Sequence, residues 1–316
     1  MSSRREPRRW DVLAVGDPCA DIVVGADVAP QAGEKVLGRA LGEFAGGAEA
    51  NVACAIARLG RSSAVYGRVG NDVHGSMLCT SLRDFGVDIA PLTVDTANPS
   101  VSVIVIVTRS GDRAIVYLPM PPRAPRSDAL AAQISEARVV YTMPYSVEEL
   151  DHINRSAKRS GTLVAIDIEA AVAPNADELS KRVALADIVF FNHSGFEAGT
   201  GEPPTEASLS RVLSAGPRVV VVTRGAGGAM AMDQHGFATQ QAFPGPVVDT
   251  TGAGDTFNAA FLAATLDGED LQHAVRFGCA AASCTVAAVG ARSHMPDRRM
   301  VSCVLAQSLG EHRGAR

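Results

Sequence analysis

Lysine is scarce in this sequence. Among 316 residues there are only three, Lys35, Lys158 and Lys181, and arginine supplies the other side-chain positive charges. The P-loop, a common phosphate-binding motif, requires a lysine directly after a glycine. None of the three lysines follows a glycine, so the sequence excludes the P-loop class of nucleotide-binding proteins.

Several other motifs are missing. A dinucleotide-binding turn requires the pattern G-x-G-x-x-G. After Gly252-Ala-Gly254 the third glycine is replaced by Phe257, and after Gly225-Ala-Gly227 it is replaced by Met230. Neither G-x-S-x-G nor H-E-x-x-H occurs, so serine hydrolases and zincin metalloproteases have no support.

Long apolar runs and an excess of positive charge are also absent. No run approaches the roughly 18 apolar residues that a membrane span needs, which excludes a membrane partner. The net charge of −5, from 29 basic and 34 acidic residues, provides no basic surface for nucleic acid. Residues 1–10 are basic but precede no signal-peptide segment. We therefore expect a disordered tail on a soluble, cytoplasmic protein.

The cysteine pattern does not indicate a disulfide framework. Six cysteines occur without any C-x-x-C pair, and most lie in apolar runs. Such cysteines are typical of reduced, buried thiols. They are Cys19, Cys54, Cys79, Cys279, Cys284 and Cys303.

The hydrophobic pattern predicts an α/β fold. With 47% hydrophobic residues, the chain can build a substantial core. From residue 127 onward, helical patterns alternate with nearly continuous apolar strands, which is typical of a parallel sheet covered on both faces. We therefore predict a Rossmann-like, mostly parallel sheet with helices on both faces, in a single domain over residues 11–310.

Two further segments, about 21–45 and 101–118, predict a small second sheet. The first has short β-rich pieces interrupted by glycine and proline. The second places two β-rich runs around a Gly-Asp turn, which is typical of a hairpin. We expect these segments to form a β lid separate from the main sheet.

The stretch from Asp249 to Asn258 carries the strongest chemical signal. Gly252 and Gly254 lie at a turn that enters an Ala-rich helix. Unpaired amides and the helix dipole make such a helix start an anion site. Asp255 places a carboxylate beside it, suited to accept a proton from a hydroxyl that attacks a bound phosphate. A purely structural turn would not explain why Asp249 and Asp255 flank the two glycines.

Other polar residues are candidates for binding. Asn51 interrupts an otherwise apolar helix, where asparagine is unfavourable, so a ligand or capping role is preferred to core filling. Asp17 fits either a turn cap or a substrate contact. Asp167 and Glu169 follow a strand, at a position that suits either a ligand site or a solvated loop.

Four motifs in order resemble the ribokinase-like (PfkB) carbohydrate kinase family. Asp249–Phe257 resembles its signature, and Thr223-Arg-Gly225-Ala-Gly-Gly228 resembles its nucleotide loop. Gly46–Leu59 and Gly67–Gly75 resemble its N-terminal signature. The resemblance covers residues 11 to about 296 and implies a kinase domain with a β lid over the sugar.

The resemblance also implies roles for individual residues. Asp255 would be the general base, with Gly252, Ala253 and Gly254 forming the anion hole. The acceptor hydroxyls would be held by Asp21, Gly46, Gly47 and Asn51. Nucleotide contacts would come from Thr223, Gly225, Gly228 and Asn192. The family uses ATP with Mg²⁺, and many members bind a monovalent cation such as K⁺, here at Asp249 and Thr251 beside Gly290-Ala291.

One position departs from the family pattern. The N-x-x-E motif linked to Mg²⁺ should begin at Asn192, but the chain reads Asn192-His-Ser-Gly195. Either Glu197, an acid from Asp167-Ile-Glu169, or a different mode of metal binding would take its place. The departure affects the magnesium site and leaves Asp255 as the base.

We therefore predict an ATP-dependent kinase that phosphorylates a hydroxyl of a sugar or sugar-like molecule. A nucleoside kinase of the same family is the alternative, since its acceptor is a ribose that carries a base. A non-catalytic ligand-binding regulator is the alternative from another class. An exposed edge of the lid sheet would favour a homodimer formed lid to lid.

Overall fold

A computed structural model of the chain describes residues 8–110, 113–122 and 128–314. The strands are β1 (Trp10–Val15), β2 (Cys19–Ala26), β3 (Gly38–Gly46), β4 (Ser63–Gly70), β5 (Leu92–Asp95), β6 (Val101–Val107), β7 (Arg113–Leu118), β8 (Ala137–Thr142), β9 (Leu163–Ile168), β10 (Ile188–Asn192), β11 (Val219–Thr223), β12 (Ala229–Asp233) and β13 (Gly236–Gln240). The helices are α1 (Ala48–Arg58), α2 (Val73–Asp84), α3 (Asp128–Ser135), α4 (Val147–Ser160), α5 (Ala176–Val183), α6 (His193–Thr200), α7 (Glu206–Ser214), α8 (Ala253–Asp267), α9 (Leu271–Thr285) and α10 (Arg298–Gly314).

Nine strands form the main sheet, in the order β13-β12-β11-β10-β9-β8-β1-β4-β5. The seven strands from β11 to β5 in that order pair in parallel, and β12 and β13 complete the sheet in antiparallel pairs. The predicted mostly parallel sheet is therefore confirmed. The β12–β13 hairpin at the edge of the sheet was not predicted.

Helices cover both faces of this sheet. Along β11, Val221 packs into one hydrophobic cluster while Val220 and Val222 pack into the other. Such alternation follows from the two-residue repeat of a strand, which points successive side chains to opposite faces. One cluster includes apolar residues of α1, α8 and α9, and the other includes those of α4, α5 and α7. Both faces are buried, as the sequence predicts.

The lid is a second sheet of four strands in the order β3-β2-β6-β7. β2 pairs antiparallel with β3 and parallel with β6, and β6 pairs antiparallel with β7. The predicted lid segments therefore form one sheet, separate from the main one. Residues 111–112 of the predicted hairpin turn lie outside the described residues.

Only residues 8–10 of the predicted N-terminal tail belong to the described part of the chain. Trp10 is the first residue of β1, and Arg8 donates hydrogen bonds to the carbonyl oxygens of Ser135 and Ser160. Residues 1–7 of the predicted tail lie outside the described residues.

All six cysteines are free, and only Cys303 among them is exposed. Within the described part of the chain, no helix has the length and apolar character that crossing a membrane requires.

Candidate active site

The candidate polar residues gather at the carboxyl edge of the parallel strands. Asp167 lies near the end of β9, Asn192 ends β10, and Thr223 ends β11. Ligands of open α/β sheets bind at this edge because the strands end there and the following loops supply side chains and amides. The start of α8 reaches the same edge, since Asn258 of α8 donates a hydrogen bond to Asp167 at 2.9 Å.

The start of α8 has the geometry of an anion site. Gly252 adopts a left-handed conformation (φ 76°), and a Cβ atom there would lie 2.6 Å from Ala291 Cβ, so only glycine fits. The Ala253 amide donates to the Thr250 carbonyl, and the Thr256 amide donates back to the Gly252 carbonyl. Within the described part of the chain, the amides of Gly254 and Asp255 have no backbone acceptor. These two amides are the donors that an anion at the helix start could use.

Asp255 is half-buried in the first turn of α8. Burial raises the pKa of its carboxyl group to about 7, although a 2.7 Å hydrogen bond from Asn51 Nδ2 to Oδ2 lowers it. The carboxylates of Glu169 and Asp21 raise this pKa further, and the charge of Arg292 lowers it. A base with a pKa near neutral is matched to proton abstraction at physiological pH.

Arg292 supports this arrangement and was not found by sequence reasoning. It lies in the segment between α9 and α10 and is 8% exposed. Its Nε donates to Asn51 Oδ1 at 2.8 Å, its Nη2 to the Gly46 carbonyl at 2.8 Å, and its Nη1 to Ser81 Oγ at 3.0 Å. One guanidinium group therefore joins α1, α2 and the end of β3.

The predicted acceptor residues Asp21, Gly46 and Gly47 lie where the lid joins α1. A Cβ atom on Gly46 would lie 2.5 Å from Asp21 Oδ2, so the carboxylate rests directly on this glycine. Gly47 caps the start of α1 with φ 97°. Burial raises the pKa of Asp21, although the 3.2 Å hydrogen bond from Cys19 Sγ lowers it. The three predicted residues thus lie together near Asn51.

Asp17 has a structural role in this geometry. Its carboxylate accepts hydrogen bonds from the Arg68 amide at 2.7 Å and from Arg68 Nη2 at 2.9 Å. Both groups of this ion pair are largely buried. The pair joins the segment after β1 to β4, which supports a turn-stabilising role over a direct substrate contact.

A buried polar network lies beneath the site. Tyr141 OH donates to Asp167 Oδ2 at 3.0 Å, and Asn258 Nδ2 lies within 3.0 Å of both. Burial raises the pKa of Asp167 to about 8, and the charge of Asp255 adds to the rise. Asn258 lies one turn after Asp255 on α8, so the network fixes the face of the helix that carries Asp255.

Three of the four residues predicted to bind nucleotide, Thr223, Gly225 and Gly228, lie at the end of β11 and in the loop after it. Thr223 Oγ1 donates to the Phe191 carbonyl at 3.3 Å. Gly225 has φ 54° and is exposed, with open space where a Cβ atom would lie. Gly228 has φ 78°, and a Cβ atom there would lie 2.0 Å from the Gln240 carbonyl oxygen. Backbone shape therefore defines this loop.

The acids that remained candidates for magnesium binding have different neighbours in the structure. Asn192 caps α6 by accepting from the Gly195 amide at 2.7 Å, and its Nδ2 lies 3.4 Å from Glu169 Oε1. Glu197 pairs instead with His193 at 3.3 Å, and both side chains are about half exposed. Burial raises the pKa of Glu169. The acid beside Asn192 is thus Glu169.

The residues predicted for a monovalent cation form a tight loop. Asp249 Oδ1 accepts from the Thr251 amide at 3.0 Å and from its hydroxyl at 2.7 Å. Asp249 Oδ2 accepts from the Gly290 amide at 2.9 Å. The loop before α8 and the segment after α9 are therefore joined, as the resemblance implies.

Four side chains of the site were missed: Glu49, Tyr141, Asn258 and Arg292. Asn258 gives the same signal as Asn51, an amide inside an apolar Ala-rich helix, and that signal could have found it. Glu49 accepts from the Met143 amide at 3.1 Å and lies against Gly16. The partners of Tyr141 and Arg292 are far away in sequence, and no local pattern indicates them.

Comparisons with known proteins place the chain in a single family. The profile described as "pfkB family carbohydrate kinase" matches residues 11–298. The ribokinase of Bacillus subtilis (strain 168) is 31% identical over 303 residues, which cover 93% of this chain and 99% of that protein. A nucleoside kinase of Methanothermobacter thermautotrophicus is 29% identical over 91% of this chain and 93% of its own length.

The fold has a close match among solved structures. A structure of Arabidopsis thaliana ribokinase complexed with ribose and ATP superposes with a TM-score of 0.84 and 28% identity. The match covers 94% of this chain and 98% of that one. Sequence profile, relatives and fold all point to one family over nearly the whole chain. This chain is a member of the pfkB family of carbohydrate kinases.

Proposed function

We propose that this kinase transfers the γ-phosphoryl group of ATP to a hydroxyl group of a sugar, with Asp255 as the general base. The observation that carries the proposal is the position of the Asp255 carboxylate, half-buried beside the amides at the start of α8. Burial raises the pKa of Asp255 to about 7 against the Asn51 hydrogen bond. The Arabidopsis ribokinase, solved with ribose and ATP, supports the choice of substrates.

The reaction follows from this arrangement. The acceptor oxygen attacks the γ-phosphorus as its proton passes to the Asp255 carboxylate. An O–P bond forms, and the bond between the γ-phosphorus and the oxygen bridging it to the β-phosphate breaks, so that ADP leaves. The amides of Gly254 and Asp255 would stabilise negative charge on the transferring oxygens.

The two substrates would be held by different groups of residues. Asp21 and Asn51, with the backbone of Gly46 and Gly47, would hold the acceptor hydroxyls beneath the lid. The loop at Thr223, Gly225 and Gly228, with Asn192, would hold the nucleotide. The lid would exclude water, which would otherwise accept the phosphoryl group.

The residues present fit a magnesium ion bound together with phosphates. Mg²⁺ in such sites takes one or two carboxylates and retains several waters and phosphate oxygens. Within the described part of the chain, no group of three or more acidic, His or Cys side chains forms a separate metal site. Glu169 beside Asn192 would hold the ion, and Glu197, paired with His193, would not. The ion would neutralise charge on the phosphates.

A monovalent cation such as K⁺ would occupy the loop of Asp249 and Thr251. The carboxylate of Asp249 and the backbone carbonyls near it are the hard oxygen ligands that such an ion prefers. The three hydrogen bonds to Asp249 already order this loop. The cation would add to that order and fix the start of α8.

A nucleoside acceptor is the second candidate, and two tyrosines favour it. Tyr117 of the lid and Tyr145 after β8 are both more than half exposed. Burial of the hydroxyl raises the pKa of Tyr145 to about 12, and the charges of Glu169, Glu49 and Tyr117 contribute. Besides burial, the charge of Glu49 raises the pKa of both tyrosines, and a flat base could stack on either exposed ring.

The lid would also be the dimer interface. Ile115, Val116, Tyr117 and Leu118 of β7 are all exposed, and β7 is an edge strand of the lid. Exposed apolar edge strands pair readily with another chain. Light scattering should give the mass of two chains, and Val116→Lys should shift it towards one chain.

A panel of acceptors tests the function. ADP release with Mg-ATP would be measured with pentoses, hexoses and nucleosides in turn. Release that depends on a sugar supports the proposal, and release confined to nucleosides selects the second candidate. Binding of an acceptor without ADP release would indicate a non-catalytic regulator and overturn both.

A further inference from the structure

Arg292 is a buried cation whose hydrogen-bond partners are all neutral. Its guanidinium nitrogens donate to the side-chain oxygen of Asn51, the carbonyl of Gly46 and the hydroxyl of Ser81. Burying a charge is costly unless hydrogen bonds and nearby opposite charges compensate. The hydrogen bonds here satisfy the donors, so the compensating negative charges lie at longer range.

The carboxylates that respond to Arg292 are the two on the acceptor side. Burial raises the pKa of both Asp255 and Asp21, and the charge of Arg292 opposes that rise in each. Glu169, from the segment after β9, raises the pKa of Asp255 instead. Asp167 of β9 is the further acid whose titration is coupled to Asp255. Among these five groups, four are acids and Arg292 is the one positive charge.

The hydrogen bond from Arg292 also fixes the orientation of Asn51. Arginine has only donors, so the atom of Asn51 that faces Nε must be the carboxamide oxygen. The NH₂ group then faces Asp255 Oδ2, to which it donates at 2.7 Å. A flipped carboxamide would place oxygen against carboxylate. Arg292 thus makes Asn51 a donor to the base.

We propose that Arg292 is a positioning residue for phosphoryl transfer, which acts through the Asn51 carboxamide to keep Asp255 ionised and aimed at the acceptor. The inference rests on the proposed role of Asp255 as the base. Arg292 touches neither substrate in this role. Its contact with the Gly46 carbonyl also holds the backbone against which the Asp21 carboxylate lies.

The test is the pH dependence of kcat/KM for the acceptor, at saturating Mg-ATP, in the full-length protein and in Arg292→Met. Without Arg292 the pKa of Asp255 should rise, so the base ionises only at higher pH. The acid limb of the profile, where kcat/KM rises with pH, should therefore move to higher pH. At pH 7, kcat/KM should fall about 10-fold to 100-fold, the scale of a misplaced catalytic group. Part of this loss should disappear at pH 9. A loss that is equal at every pH would overturn the inference.

Arg61→Met is the matched control. Arg61 is also largely buried, and it pairs with Asp11 and Asp267, away from the site. Its loss should affect thermal unfolding without moving the acid limb. A shift of the limb in Arg61→Met equal to that in Arg292→Met would show a general effect of lost stability and contradict the positioning role.

A double-mutant cycle with Asn51→Ala tests whether Arg292 acts through Asn51, and Arg292→Lys provides a milder change if Arg292→Met does not fold. Residues that act as one unit are non-additive. Either Arg292 variant should lower kcat/KM by a smaller factor once Asn51 is Ala than it does in the unmodified protein, since only the effects of the Gly46 contact and of the Arg292 charge are then left to lose. Additive losses would overturn the inference. An inactive parent protein, or an active Asp255→Ala, would instead overturn the proposed function.

Discussion

The proposed acceptor side of the site and its proposed nucleotide side are built in different ways. On the acceptor side, side chains carry the geometry: Arg292 holds Asn51, and Asn51 holds Asp255. On the nucleotide side, the backbone carries it, since Gly225 and Gly228 shape the loop with positive φ angles. The acceptor side is buried and polar, whereas the nucleotide loop is open at Gly225.

This difference follows from what each side would bind. Acceptor hydroxyls are neutral and directional, so they require carboxylates and amides held in fixed orientations. Phosphates carry spread negative charge, which several backbone amides can share. A substitution that changes the chemistry of a side chain but keeps its shape should therefore be most damaging on the acceptor side. A change that adds only a Cβ atom should be most damaging on the nucleotide side.

The largest effect is expected at Asp255. Asp255→Ala removes the proton acceptor, so kcat should fall by about 10²-fold to 10⁴-fold, the usual scale for a lost general base. ATP affinity should change little, because the nucleotide loop does not depend on this side chain. Steady-state kinetics and calorimetric titration with ATP measure the two quantities. Near-normal turnover in this variant would refute its role.

The next effect is expected at Gly228. A Cβ atom there would meet the Gln240 carbonyl oxygen at 2.0 Å in a left-handed backbone conformation. Such strain costs about 1–3 kcal/mol, which corresponds to a KM for ATP raised by about 5-fold to 100-fold. Gly228→Ala should therefore weaken ATP binding while kcat at saturating ATP stays near normal.

Gly225→Ala is the matched control for this prediction. Gly225 also has a positive φ, but open space surrounds the position of its Cβ atom. Its substitution adds only the left-handed backbone cost, without a clash. The KM for ATP should rise less than in Gly228→Ala. Equal effects of the two substitutions would contradict the close approach at Gly228.

The smallest effect concerns magnesium. Glu169→Gln should raise the Mg²⁺ concentration for half-maximal rate by about 10-fold, because a carboxylate near the phosphates is the expected ligand. Glu197→Gln should change it by less than about two-fold, since Glu197 pairs with His193 on the exposed surface of α6. Magnesium titrations of both variants compare the two acids, and the reverse order would favour Glu197.

The fold was predictable from the sequence because its signals are local. The apolar run of β11 and the Gly that ends α4 carry their own information, and the alternation of such segments predicts the parallel sheet. The β12–β13 hairpin was missed because its two short strands alternate weakly and contain glycine and alanine. Local patterns predict whether a segment is a helix or a strand better than they predict which strands pair at the edge of a sheet.

The site was predictable only in part, because its supports are distant in sequence. The Asp249–Asn258 stretch contains Asp255, the proposed base, and the helix start in one motif, and Asn51 is visible as an amide in an apolar helix. Arg292 lies 241 positions from Asn51, and nothing local indicates that contact. Spacing alone left Glu197 and the acids of Asp167-Ile-Glu169 open, whereas in the structure the carboxylate that approaches Asn192 is that of Glu169, after the neighbouring strand.

The most direct test of the account is the pH dependence of kcat/KM for the acceptor in the unmodified protein. Burial raises the pKa of Asp255 to about 7, and the base must be ionised to accept a proton. The rate should therefore rise with pH and reach half of its maximum near pH 7. A rate that is constant from about pH 5 to pH 8 would contradict Asp255 as the base.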